Sequence, residues 1–166
     1  MNGKRRSLFL LAVSIWLLAA CTPHEETESV NELTWQEAKA EAQEMATEIA
    51  AQIPRNIVLN TDQRETGVLM NCDNERQSWT GATTVALTPG TMAESVVRDL
   101  QSHFENDERF SHRTRRDIAG AYELQLMSRT SEASYIVAED APGTIRISAW
   151  SPCFRLPEGV YPGGKF

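Results

Sequence analysis

The sequence predicts an α+β domain, with an antiparallel sheet of about five strands backed by two helices in the order α-β-β-α-β-β-β and stapled by one disulfide. Three observations carry this reading. Two segments open on a Thr-x-x-Glu box and continue with an apolar stripe at helical spacing. Several shorter segments alternate apolar and polar residues between turn-forming clusters. Of the three cysteines, two remain as a pair once Cys21 is assigned to a separate role.

That separate role comes first along the chain. Lys4, Arg5 and Arg6 precede an apolar run from Leu8 to Leu18, and Leu18-Ala19-Ala20-Cys21 ends it with small residues and a thiol. This is the layout of a bacterial export signal. The small residues admit a signal protease, and the Cys21 thiol is a nucleophile for lipid transfer. Residues 1–20 therefore read as a lipoprotein signal peptide, with Cys21 the lipidated first residue of the mature chain. An ordinary signal with a chance cysteine and an uncleaved anchor are the alternatives, although the apolar run is short for a membrane span. Residues 21–33, with Glu25, Glu26 and Glu28 and no periodic apolar pattern, read as an acidic tether. A flexible chain of that length reaches roughly 20 Å r.m.s.. Residues 34–166 then form a single domain, a length that supports one sizeable core.

Charge narrows the partners. The net charge is −7, and removing Lys4, Arg5 and Arg6 with the signal, which holds no acidic residue, takes it to −10. Such a domain is poorly suited to nucleic acid, whose phosphates require neutralising cations. Anionic headgroups repel it as well, so lipid on Cys21 rather than a basic patch must hold it at the membrane. Two acyl chains make a stable anchor where one is marginal. The location expected is the extracytoplasmic face of the cell membrane. In that oxidising compartment Cys72 and Cys153 read as a disulfide. Two independent thiols are the alternative, and a metal site is disfavoured because no histidine lies at ligand spacing from either.

Thr34-Trp35-Gln36-Glu37 is a capping box, followed by a stripe of Trp35, Ala38, Ala42, Met45, Ile49 and Ile53 and closed by Pro54. Glu37, Glu41, Glu44 and Glu48 fall on the other side, a solvated face or an acidic docking surface. Gly67 to Cys72 and Trp79 to Leu87 read as a hairpin, the second strand turning Trp79, Thr83, Val85 and Leu87 to one face. Thr91-Met92-Ala93-Glu94 is a second capping box, opening a helix that carries Ala93, Val96, Val97, Leu100 and Phe104 inward. Strands follow around Tyr122 to Leu126, Tyr135 to Val137 and Ile145 to Ala149, and the Pro- and Gly-rich stretch from Pro157 to Phe166 reads as loop.

Catalytic motifs are absent: no GxSxG elbow, GxGxxG loop, P-loop or HExxH occurs. No catalytic residue, metal site or cofactor is expected. His103 and Asp107 share a helix face but lack a third ligand. One anomaly stands out, the basic cluster His112-Arg113-Thr114-Arg115-Arg116 in an acidic chain. Arg113, Arg115 and Arg116 either meet an anionic partner or form a solvated loop that neutralises nearby acids. Trp150 is turned away from the face that buries Ile145 and Ile147. It either lines a binding surface with Phe154 or folds beneath the C-terminal loop.

The segment AKAEAQEMATEIAAQIP, Cys72 after a short strand and the closing ISAWSPCFRLP together resemble small actinobacterial cell-envelope lipoproteins of the LppA-like kind. The resemblance covers most of the mature domain. It implies lipid on Cys21 and a Cys72–Cys153 bridge, and carries over no active-site residue. The function expected is a non-enzymatic, lipid-anchored module that binds another envelope protein or polymer. The alternative is a carrier of an apolar ligand, with a pocket between sheet and helices lined by residues such as Met70, Val97 and Leu124. A hydrolase with spatially assembled carboxylates is a third class.

Overall fold

The computed structural model of the chain describes residues 33–166. The signal peptide, Cys21 and the tether up to residue 32 lie outside the described residues. Leu33, assigned to the tether, is partly buried against the core.

Helix α1 spans Trp35–Ala51 and starts on the expected capping box. The Thr34 amide donates to Glu37 Oε2 at 2.8 Å, and the Glu37 amide donates to Thr34 Oγ1 at 3.2 Å. Its buried residues are Ala38, Ala42, Ala46, Ile49 and Ala50, so the stripe is turned slightly from the one expected, leaving Trp35 and Met45 at its margins. Four alanines on that face let the helix lie close to the sheet. A 3-10 turn, Arg55–Ile57, follows Pro54.

The sheet has eight strands rather than about five: β1 (Val58–Gln63), β2 (Val68–Asn71), β3 (Arg76–Leu87), β4 (Phe110–Arg116), β5 (Tyr122–Ser128), β6 (Ser134–Ala141), β7 (Thr144–Trp150) and β8 (Phe154–Arg155). Its order is β1-β3-β7-β6-β5-β4, with every pairing antiparallel. The 12-residue β3 is the spine, pairing with β1 and β2 along one side and with β7 and β8 along the other. The expected β2–β3 hairpin and the strands at Tyr122, Tyr135 and Ile145 are all present. Two full strands were missed: β1, whose VLNTDQ is largely exposed, and β4, the basic cluster itself, which is an edge strand and not a loop.

Helix α2 spans Ala93–Phe104 and buries Ala93, Val96, Val97, Leu100 and Phe104, as its stripe requires. The second capping box does not form. Met92 takes the cap position without a side-chain bond, and the Thr91 hydroxyl lies 2.9 Å from that of Thr88 in the preceding turn. Helix α1 packs on β3 and β7, and α2 on β5 and β6. Both helices join one core with Trp79, Val85, Leu124, Leu126, Val137, Ile145 and Ile147. Period-two alternation sends the remaining side chains of these strands to the opposite face, on which neither helix packs.

The disulfide Cys72–Cys153 is present, with a Cα–Cα distance of 6.3 Å. It joins the end of β2 to the start of β8. The C-terminal stretch is irregular, as expected, but its last residue is docked. Phe166 exchanges two backbone hydrogen bonds with Gly67, accepts from Trp79 Nε1 at 3.2 Å and meets the Trp35 ring edge-on at 5.4 Å.

Candidate functional site

Strand register sets out in rows the face opposite α1 and α2, which is helix-free among the described residues. Trp150 on β7 is opposite Ser134 on β6, which is opposite Met127 on β5, which is opposite Ser111 on β4. The next row runs Ser148, Ile136, Gln125, Arg113. In the third, Arg146 pairs with Ala138, and Glu123 with Arg115. The middle of the face is mixed, with Ser134 and Ala138 small and Ile136, Met127, Gln125 and Glu123 larger, between Trp150 and Arg146 on one flank and Arg113 and Arg115 on the other.

A groove of about 470 Å³ lies on this face, and its lining includes Met70, Met127, Ser134, Ile136, Trp150, Arg113, Arg115 and both disulfide cysteines. The structure therefore brings Arg113, Arg115 and Trp150 to one site. Arg116 is not part of it. Alternation turns it to the helix side, where its guanidinium bonds Glu94 of α2 at 3.0 Å and the Gly120 carbonyl at 2.7 Å. Phe154 is fully buried in the core, so the pairing of Trp150 with Phe154 on one surface is not formed. Trp150 is half-buried and separates the first groove from a second of about 870 Å³, lined in part by Asp62, Arg64, Glu65, Arg146 and Lys165.

The two groove arginines are held differently. Arg115 Nε donates to Glu123 Oε1 at 2.7 Å, and this bond above all raises the arginine's already high pKa. Glu123 is 6% exposed despite lying on the helix-free face. Gln125 is equally sheltered and donates its amide to Glu123, while its carbonyl oxygen accepts from Arg113 Nε. Arg113 is thus oriented by a neutral acceptor that leaves its charge uncompensated. Its terminal amino groups have no acceptor among the described residues. In the second groove Arg64 and Lys165 form no ion pair among the described residues. Arg146 is partly occupied, by Ser148 Oγ at 3.1 Å and Asp140 Oδ2 at 3.7 Å.

No protein-family model, curated protein or solved structure matches this chain.

The acids with displaced pKa values sit apart, each engaged by its own partners. The Glu94 carboxyl is lowered chiefly by Arg116 and then by Arg98, and Asp107 chiefly by Arg109. Hydrogen bonds from Thr34 lower Glu37. Backbone amides after the turn, that of Glu75 foremost, and the Arg76 side chain bring Asp73 down to about 2. Arg109 also occupies Asp107, the acid that the sequence places beside His103. Among the described residues no three His, Cys, Asp or Glu converge as a metal site would require. Met70 is half-exposed, whereas Val97 and Leu124 are fully buried in the core, so the three do not line one pocket.

Sequence reasoning missed Glu123, Gln125, Arg64, Arg146 and Lys165. A signal existed for the first two. Both alternate with Leu124 and Leu126, so once Phe110–Arg116 is a strand, the register places them beside Arg115 and Arg113.

Proposed function

We propose that the chain is a lipid-anchored lipoprotein of the extracytoplasmic membrane face, acting without catalysis and binding another envelope component through the helix-free face of its sheet. The observation that carries the binding part is Arg113, fixed by Gln125 yet uncompensated, in one groove with Arg115 and Trp150. An open sheet face with oriented polar groups and an aromatic ridge suits recognition. Anchoring rests on the charged, apolar and small-residue sequence ending at Cys21. The resemblance to LppA-like lipoproteins supports the same location. Among the described residues no helix is long and apolar enough to cross a membrane.

Site-specific photocrosslinking in intact cells tests the binding face. A photoreactive residue at Ser134 should trap a discrete envelope component, while one at Asp99 on α2 should not. Equal trapping from both positions, or trapping from Asp99 alone, would refute this face as the binding surface.

A further inference from the structure

Resting on that reading of the face, we infer that its occupant is an acidic polysaccharide, a sugar chain bearing carboxylates or phosphates. Four features of the face converge on this chemistry.

Its cations are available although the chain as a whole is acidic, with a net charge of −7. Arg113, Arg64 and Lys165 line the two grooves on either side of Trp150 without an ion pair among the described residues. A guanidinium held at Nε presents its terminal amino groups in the fixed fork that matches a carboxylate or phosphate. The acids in these grooves are Asp62, Glu65 and Glu132, of which Glu132 is bound to Arg76 at 2.8 Å. They would limit affinity for anions and favour a ligand that places its charges only at the flanks.

The cations are also widely separated. Arg113 on β4 lies three strands from Trp150 on β7, roughly 14 Å at the usual strand spacing, and Arg64 and Lys165 line the groove on the other side of that ring. A free phosphate or carboxylate cannot span that distance, whereas a chain with repeating charges can. Between the flanks, Ser134 and Ala138 leave room beside Ile136 and Met127, Ser134 and Ser148 offer hydroxyls, and Thr80 and Thr84 on β3 extend the hydroxyl-bearing surface. Hydroxyls both donate and accept, which suits sugar hydroxyls.

Trp150 supplies a flat apolar ring where the two grooves meet. A pyranose ring has a C–H face of matching size and polarity, which an indole face can cover. The planar units of an acidic peptide's backbone are polar amides, which offer no ring of C–H bonds to that face. Nor could a peptide join this face as an added strand, because the backbone groups of β7, β6 and β5 are consumed by neighbours on both sides. Recognition on this face therefore runs through side chains.

The test uses detergent-solubilised full-length protein and calorimetric titration at physiological ionic strength. The probes are polygalacturonate, a phosphomannan, neutral dextran and poly-L-glutamate. At least one anionic glycan should bind, with dextran and polyglutamate at least tenfold weaker. Arg113→Gln and Trp150→Ala should each weaken that binding at least tenfold. Arg116→Gln, on the helix side, should change it less than twofold. Thermal melts of each variant identify folding defects, and Trp150→His provides a milder change of the same ring.

Polygalacturonate binding would identify carboxylates as the anionic group, and phosphomannan binding phosphates. Equal binding of polyglutamate, unaffected at Trp150, would overturn the glycan assignment in favour of an acidic peptide. Binding by none of the four probes would also overturn it. In either case trapping from Ser134 in cells would still stand or fall separately, so failure of the ligand class is distinguishable from failure of the face.

Discussion

Trp79 is 1% exposed in the middle of the core, and its indole leaves no room for a side chain at Gly81: a Cβ there would lie 2.1 Å from the ring's outermost carbon. Gly81→Ala should therefore destabilise the fold by about 1–3 kcal/mol, the usual range for overpacking, in a urea melt. The same indole donates to the Phe166 carbonyl, and the Phe166 ring packs on Trp35. Phe166→Ala should cost about 3 kcal/mol by the same measurement, the low end for loss of a buried phenyl ring. A neutral result would mean that the C-terminal residue is not docked in solution. Asp73 gives a pH prediction. Its carboxylate caps the β2–β3 turn and has a pKa lowered from 3.8 to about 2. The lowered value means that its contribution to stability is complete above the unfolded pKa and is lost as pH falls through about 2. An NMR titration of its side-chain carbon should show that midpoint, and Asp73→Asn should flatten this part of the acid dependence. At this scale the sequence was partly legible. Alternation placed Trp79 inward, but its dependence on Gly81 and Phe166 is a tertiary matter that no local pattern encodes.

Elements were legible where their sequence repeats their burial. Helix α1 carries a functioning box, and α2 an apolar stripe that is buried in full. Matching boxes did not mean matching caps, because the Thr91 hydroxyl is drawn to Thr88 in the turn before α2. Thr34→Ala should cost about 1 kcal/mol, the typical loss of a side-chain cap, and Thr91→Ala clearly less. Equal losses would show that Thr91 caps α2 in solution. Of the three strands missed, β8 has only two residues, and β1 and β4 are the two ends of the sheet order, where among the described residues one side of the strand meets no neighbour and few side chains need to be apolar. Composition therefore reads as loop, although backbone pairing makes a strand. This also hid the site, since the Arg113–Gln125 and Arg115–Glu123 contacts follow from β4 being paired with β5. The disulfide was legible from cysteine parity, and it closes a separation of 81 residues. Chain entropy sets its contribution at about 4–5 kcal/mol, with measured values often lower. Reductant should shift the urea midpoint down accordingly, and thiol labelling of unreduced protein should find neither Cys72 nor Cys153 reactive.

For the molecule as a whole, the proposed anchor and the proposed binding face make separate demands. Cys21→Ala should move the protein from the membrane fraction to the soluble fraction, and retention on the membrane would refute lipid anchoring. Because anchoring by acyl chains needs no basic patch, the domain's cations remain available for other partners. Several acids are engaged by arginines: Glu48 and Asp107 by Arg109, Glu94 by Arg98 and Arg116, Asp73 and Glu132 by Arg76. Of the cations without an ion pair among the described residues, Arg64, Arg113 and Lys165 line the grooves beside Trp150.

The position of β4 at the end of the sheet has one more consequence. An unpaired strand edge invites the same edge of another copy, and natural sheets guard such edges with charge. Proteins tethered to a shared surface meet edge-on far more often than in dilute solution. Two β4 edges approaching each other would bring Arg113, Arg115 and Arg116 against their own counterparts. The arginines that make this strand hard to read in the sequence would then also keep crowded neighbours from zipping into a continuous sheet.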